Sequence, residues 1–483
     1  MDFETLVRPF SPWRDPAAST AWRSAVPRFR RPIFDRLVSD LDGLSQYLSI
    51  IGPRRVGKST LLRQIVEQLL DRGVEPRRIL YYSLDDPALL RPGFSGHELL
   101  ETLAAEMNSL GQDGPAYLLL DEVQALPHWE LYVKKFYDLG YAVKILLSGS
   151  ASSPIFKKSR ESLLGRVNQH HLLPFSYREF LLYRLRDEQD LLDELESYTV
   201  VWHAALRGLL EAPDELRGHF DRFPSLSDAL WSTASEAMDL FLIDGGFPEV
   251  WEMPTAEQKI DYLFENQVQK VIFEDLVLAA EFRKPEQLKA FYVSLLESPG
   301  REVSRTKLAS ELEIPAAAID KYLPLLEMTD LIRHAEKFRT TTVRMRKGNR
   351  KFYLVDLALR NAVLRLDHRL LDDPQILGLY AENLVFNALK QTQGLLAVDF
   401  YREQNREIDF VATMSHGVHW PIEVKHQRQV SGGDLGFLRR FARERGTLQP
   451  FCVTRTRDVR GLDTHPEQSV FHLPLIEFLL LLG

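Results

Sequence analysis

The sequence predicts an α/β protein built on a parallel sheet, and two observations carry that prediction. Between Arg31 and about Phe180, short and largely apolar runs alternate with amphipathic stretches, as strands buried on both faces do when helices connect them. One run passes straight into a glycine-bounded turn and then into a helix-period stretch. The strands are expected at Tyr47–Ile51, Ile79–Ser83, Tyr117–Leu120, Lys144–Leu147 and His170–Leu173. Ahead of them, residues 1–30 read as an irregular extension with Trp13 and Trp22 as anchors. The core is expected over 31–182 and an acidic helical lid or linker over 183–284, broken at Gly245-Gly246 and Pro248. A winged helix over 285–356 and a small α/β domain over 357–483 complete the expected order.

Composition excludes several classes. The chain has 483 residues, 45% hydrophobic and 27% charged, which is a globular balance and not a disordered one. A single cysteine, Cys452, rules out an intrachain disulfide and a cysteine-rich zinc site. No apolar run approaches the roughly 18 residues a membrane span needs, and no apolar leader segment is evident. A cytoplasmic protein without a membrane partner is therefore expected. Lys and Arg number 60 against 68 Asp and Glu, a net charge of -8. Nucleic acid is repelled by such a chain as a whole, so any contact with it must come from local basic patches.

Gly52-Pro53-Arg54-Arg55-Val56-Gly57-Lys58-Ser59, followed by Thr60, fills the phosphate-loop pattern. Its context is right: Leu48–Ile51 is apolar, and Leu61, Leu62, Ile65, Val66, Leu69 and Leu70 recur at helical spacing before Gly73. Backbone amides and the helix N-terminus cradle phosphates, Lys58 reaches the β- and γ-phosphates, and Ser59 offers its hydroxyl to Mg²⁺. The expected ligands are ATP and Mg²⁺. The apolar run Tyr117–Leu120 ends in Asp121-Glu122, matching the acidic motif of the additional-strand, catalytic-glutamate P-loop NTPases. Asp121 would hold Mg²⁺ through water, and Glu122 would orient and deprotonate the attacking water.

The phosphate loop, Leu-Asp-Glu-Val-Gln (120–124), Leu-Ser-Gly-Ser (147–150), Leu-Leu-Gly-Arg (163–166), Leu-Pro-Phe-Ser-Tyr-Arg-Glu-Phe (173–180) and Gly-Gly-Phe-Pro-Glu (245–249) occur in this order. Together they resemble a widespread prokaryotic family of AAA-type ATPases followed by a C-terminal domain of unknown function. The resemblance implies that Ser148, with Ser150 as runner-up, reads the γ-phosphate. It also implies an arginine finger at Arg166, supplied in trans within a homo-oligomer; the competing reading of Arg166 is a surface ion pair.

Val303–Leu312, Glu313-Ile314-Pro315 and Ala316–Glu327 read as helix, turn and helix, with Leu308, Leu312, Ile319, Tyr322, Leu323 and Leu326 as the shared core. Pro315 suits the first position of the second helix, whereas Pro324 is expected to kink or end it. Strands near Leu331–His334 and Phe352–Val355 would flank a wing carrying Arg339, Arg344, Arg346, Lys347, Arg350 and Lys351, the densest basic patch in the chain. The helix start Ala316–Lys321 offers no side chain for bidentate base contacts. DNA binding that is largely non-specific is therefore expected, with an ATPase lid or a protein-docking module as the other reading.

Near the C-terminus, Glu423-Val424-Lys425 lies in an alternating strand, Asp409 precedes it in another, and Glu382 belongs to a helix with an apolar stripe. Glu, Asp and Glu-x-Lys in that order resemble the PD-(D/E)XK restriction-endonuclease-like superfamily. The resemblance implies Mg²⁺ or Mn²⁺ at Asp409 and Glu423, supported by Glu382, with Lys425 acting on the attacking water. His426 and Gln427 get no role beyond outer contacts. Three functions stay open: an ATPase with a DNA-associated nuclease site, an ATP-switched regulator or scaffold with an inactive nuclease-like domain, and a protein-remodelling ATPase.

Overall fold

Strands with no polar face need cover on both sides, and in the computed structural model four of them, with a fifth, more polar edge strand, form the centre of the first of two units. The structure describes every residue except 1–2, 92–94, 151–162, 212–223, 272–275, 277–284, 340–349, 415–416, 427–434, 464 and 483. The first unit comprises 1–173, 269–283 and 328–330; the second comprises 174–268, 284–327 and 331–483.

In the first unit β1 (Tyr47–Gly52), β2 (Ile79–Ser83), β3 (Tyr117–Asp121), β4 (Lys144–Ser150) and β5 (Val167–His171) make an all-parallel sheet in the order β2-β3-β4-β1-β5. Thus β4 stands between the strand that feeds the phosphate loop and the strand that ends in Asp121. Helices α1 (Lys58–Asp71), α2 (Gly96–Gly111) and α3 (Trp129–Asp138) cover the sheet. Gly73 closes α1 in the left-handed region at φ 80°. The fifth strand lies three residues earlier than its apolar content suggests. It is an edge strand that pairs with β1 from Tyr47↔Val167 onward, so Asn168 and Gln169 are tolerated in it, and apolar Leu172 and Leu173 follow it. The N-terminal extension is not irregular: Phe3–Val7 and Pro16–Ala25 are helical. Trp13 is buried, and its indole N–H donates to the Ile79 carbonyl at 3.3 Å.

The second unit has one long core, running from Tyr177 to Leu482. Helix α4 (Tyr177–Arg184) opens with a reciprocal cap between Ser176 and Glu179. Helices α5 (Gln189–Glu211) and α6 (Asp228–Asp244) follow. The helices expected as a lid thus belong to this core. Tyr198 of α5 donates its hydroxyl to Glu477 at 2.9 Å, and Glu477 sits in the fully buried terminal helix 475–482.

Next come α7 (Pro285–Glu297), β6 (Glu302–Val303), α8 (Arg305–Glu311), α9 (Ala316–Met328), β7 (Ile332–Ala335) and β8 (Arg350–Leu354). The strands form an antiparallel sheet, β6-β8-β7. This is the element order expected of a winged helix. Pro324 does not end α9, which runs on to Met328. Leu326 beyond it is fully buried, and burial of that side chain offsets the hydrogen bond the proline cannot donate.

Helix α10 (Pro374–Gln391) then leads into a six-stranded mixed sheet of β9 (Leu395–Glu403), β10 (Arg406–Met414), β11 (His419–Lys425), β12 (Phe451–Thr454), β13 (Gly461–Leu462) and β14 (Phe471–Pro474), ordered β13-β14-β12-β11-β10-β9. Helix α11 (Gly436–Arg445) packs on β10 and β11. Among the described residues no helix is long and apolar enough to cross a membrane.

Candidate functional site

The end of β1 turns at Pro53–Val56 and enters α1 through Gly57, whose φ of 97° is left-handed; a side chain there would be strained. Arg55 also takes a positive φ, 63°. Lys58 is 4% exposed. Its ammonium donates to the carbonyls of Gly52 at 3.1 Å and Pro53 at 2.7 Å, so it is folded over the loop it is expected to serve. Arg31 clamps the same turn, donating to Val56 O at 3.3 Å and Leu173 O at 2.8 Å. Sequence reasoning missed Arg31, since a single arginine 25 residues upstream carries no pattern.

Two strand spacings away, about 10 Å, β3 delivers the acidic pair. Asp121 is 2% exposed. One carboxylate oxygen accepts the Tyr81 hydroxyl at 2.7 Å, and the other accepts the Glu122 amide at 3.0 Å and the Ser148 hydroxyl. Ser148 lies on β4 and is in register with Ile50 of β1. The intervening strand therefore places it against the Asp121 carboxylate. Ser150, two residues on, is in register with Gly52, and its amide donates to Gln124 Oε1 at 3.3 Å. Gln124 Nε2 in turn donates to Glu122. Glu122 itself sits at φ 49°, the kind of local strain that gathers at working sites. Burial raises its carboxyl pKa, with Asp121 adding to the rise and Lys58 opposing it. That direction favours proton acceptance. Tyr81 and Gln124 went unnoticed in the sequence, because which side chains from β2 and from the turn after β3 meet the acidic pair depends on strand register.

Arg166 is placed elsewhere. The Tyr47 amide donates to its carbonyl at 3.0 Å, at the opposite end of β1 from the loop and about 16 Å away along the strand. Its guanidinium forms a two-point pair with Asp138, 2.6 and 3.2 Å.

The C-terminal constellation comes together from α10, β10 and β11. Asp409 accepts the Val424 amide at 2.8 Å, Glu423 accepts the Asp409 amide at 3.4 Å, and Lys425 lies 2.6 Å from Glu423. Burial, with Glu423 and Glu382 nearby, pushes the Asp409 carboxyl well above the ordinary range. Burial raises Glu423 as well, against the pull of Lys425. His426 beside them is pushed down to about 4 by burial and Arg455.

One expected assignment needs correcting. Lys351 does not line the solvated wing: it is 4% exposed. Its Nζ is 3.1 Å from Glu382 Oε1 and also bonds Glu407. Strand alternation on β8 puts Lys351 on the same face as Tyr353, the face that meets Glu382 of α10 and Glu407 of β10. Of the other basic residues expected to meet nucleic acid, Arg339 is exposed and Arg350 lies 3.6 Å from Glu336. Arg344, Arg346 and Lys347 are outside the described residues, as is Gln427. The carboxylates do not form a metal cage as they stand. Glu382 is engaged by Lys351 and by the Tyr353 hydroxyl at 2.8 Å, Asp409 and Glu423 accept backbone amides, and among the described residues no three His, Cys, Asp or Glu side chains are set to hold a metal.

Comparison with known proteins matches three stretches of the chain. Residues 45–181 match a family described as an AAA domain; 235–370 and 377–476 match two domains of unknown function, DUF8612 and DUF4143. A protein of Haemophilus influenzae described as uncharacterized is 24% identical over 370 residues, covering 75% of this chain and 78% of its own. Uncharacterized protein MJ1637 of Methanocaldococcus jannaschii is 24% identical over 321 residues, 64% of this chain and 60% of that one. Among solved structures, AMPPCP-bound DnaA from Aquifex aeolicus matches at 15% identity and TM-score 0.24, covering 62% of this chain and 89% of that chain.

Proposed function

We propose that this chain, which carries an AAA-type ATPase domain followed by two domains of unknown function, binds and hydrolyses ATP at the 52–60 loop and is associated with DNA through its basic hairpin. The observation that carries the first part is the gathering of Lys58, Asp121, Glu122 and Ser148 on or just beyond three adjacent strands of one sheet, β1, β4 and β3. Loop amides from Gly52 to Thr60 hold the phosphates, and Lys58 leaves its two carbonyl partners to meet the β- and γ-phosphates. Mg²⁺, when bound, would offset phosphate charge, and Ser59 and Asp121 would hold it. Glu122 orients water and takes its proton, and Ser148 fixes Asp121 while facing the γ-phosphate position. A finger role for Arg166 belongs to a homo-oligomer, where a neighbouring copy would receive it in place of Asp138.

DNA association is supported by five basic residues, Arg339, Arg344, Arg346, Lys347 and Arg350, within one short stretch of an acidic chain. The nuclease-like C-terminal domain is read as a scaffold and no cleavage step is assigned to it, because its carboxylates are engaged by Lys351, Lys425 and Tyr353.

The test is ATP hydrolysis by purified protein with and without DNA. Lys58→Ala abolishes turnover, and Glu122→Gln keeps ATP bound without hydrolysing it. Undiminished hydrolysis in Lys58→Ala would defeat the ATPase reading. Replacing Arg344, Arg346 and Lys347 with Ala weakens DNA binding at low salt and flattens its salt dependence by about 0.9 in log–log slope per lost phosphate contact. Unchanged DNA affinity would favour a protein-docking module.

A further inference from the structure

The three-stranded sheet inserts one cation into the carboxylates of the six-stranded sheet. An ammonium as buried as that of Lys351 is costly unless it is paired on several sides. Its partners come from two other elements, Glu382 of α10 at 3.1 Å and Glu407 of β10. The Tyr353 hydroxyl, two residues along the same strand, holds Glu382 at 2.8 Å. Arg402 of β9 holds Glu407 at 2.6 Å and reaches Glu302 of β6, which is the residue paired with Lys351 across β6 and β8. The ionic chain runs Glu302, Arg402, Glu407, Lys351, Glu382, and the strand pairing of Glu302 with Lys351 ties its first four members into a ring.

A second tie, made without charge, lies at the other foot of the same hairpin. The Phe338 amide donates to Phe400 O at 2.7 Å, and the Phe400 amide donates to Glu336 O at 3.0 Å. Those bonds add residues 336–338 to the exposed edge of β9. The Phe338 ring is buried in a small core with Ile408, Val411 and Phe441, and the Arg445 guanidinium lies 5.6 Å from its centroid.

We infer that Lys351 is the resident cation of this carboxylate cluster, and that the cluster serves as the socket locking the basic hairpin onto the C-terminal sheet, where the sequence pattern leads one to expect a divalent metal. Residues 336–338 and 350–351 then leave from a fixed base, and an incoming divalent ion has to displace a cation that is part of the chain. The inference does not rest on the nucleotide reading, because it is tested without nucleotide.

Mn²⁺ is titrated calorimetrically into the full nucleotide-free chain, and amide exchange is followed at Phe338 and Phe400. The wild type and Asp409→Asn take up Mn²⁺ alike. Lys351→Ala gains a Mn²⁺ site that Lys351→Ala/Asp409→Asn lacks. Exchange at Phe338 rises about tenfold or more in Lys351→Ala, as expected when a local tie is cut. Should Lys351→Ala fail to fold, Glu382→Gln removes one counter-charge at constant size and is expected to raise the same exchange rates. A Mn²⁺ site in the wild type that disappears in Asp409→Asn overturns the inference, and so does exchange that is unchanged in the variants.

Discussion

Replacing Tyr81 with Phe removes one hydroxyl and tests whether Asp121 is the carboxylate that serves magnesium. The Tyr81 hydroxyl is 2.7 Å from Asp121 Oδ2, whereas the Glu122 amide and the Ser148 hydroxyl bond the other oxygen. At 2% exposure water cannot readily replace the lost donor. A hydrogen bond to a charged buried group is worth about 1.5–3 kcal/mol, and removing a partner that orients a metal ligand typically costs about 10–100-fold in metal affinity. The two ranges agree, because 1.4 kcal/mol is about tenfold. The phenol packs on β2 and its ring is retained, so the fold should persist. The assay is steady-state ATP hydrolysis against free Mg²⁺ at saturating ATP. The half-saturating Mg²⁺ concentration is expected to rise about tenfold or more, while the rate at saturating Mg²⁺ falls much less. If the Mg²⁺ dependence of Tyr81→Phe matches that of wild type, Asp121 is not the ion's carboxylate and the assignment of the acidic pair is wrong.

Two further predictions concern the Gly245-Gly246 junction in the second unit. Asp356 accepts the Gly246 amide at 2.7 Å and the Ala358 amide at 2.8 Å, and burial pushes its carboxyl up from 3.8 to about 6. A raised carboxyl binds its proton more tightly folded than unfolded, so this group makes stability fall as pH rises from about 4 through 6. Between pH 5 and 8 the loss is about 1.4 kcal/mol, and denaturant unfolding of Asp356→Asn relative to wild type should gain that much over the same interval; a difference independent of pH would sink the argument. At Gly246 a Cβ would lie 2.2 Å from Phe175 O and 2.7 Å from Phe175 N, both backbone atoms. Gly246→Ala should therefore cost about 2–3 kcal/mol and lower the thermal midpoint, and an unchanged midpoint would mean that this contact yields freely.

The parts of the structure legible in the sequence are those where one local rule decides the outcome. The loop 52–60 was readable because glycines, lysine and serine at fixed spacing permit one geometry, and the presence of a parallel sheet followed from short, continuous apolar runs alternating with amphipathic stretches. Alternation put Glu423 and Lys425 on one face and brought them to Asp409 correctly. What failed was whatever depended on the cover over a surface. β5 was misplaced because an edge strand need not be apolar, whereas the helix expected over Ala316–Glu327 does run on through Pro324. Lys351 is the instructive case. Read along the chain it ends a cationic run and looks like its neighbours Arg344, Arg346 and Arg350, yet Arg350 and Lys351 do not share one environment. A strand turns successive side chains to opposite faces, so Arg350 and Lys351 must diverge, and only the carboxylates of α10 and β10 make the inward position tolerable for an ammonium. Of these, Glu382 is also one of the carboxylates expected beside a divalent metal, with Asp409 and Glu423. Charge counted within a segment could not place Lys351, because the charge that decides it lies outside: a buried cluster needs its positive partner, and here the chain supplies one 31 residues before Glu382 and 56 before Glu407.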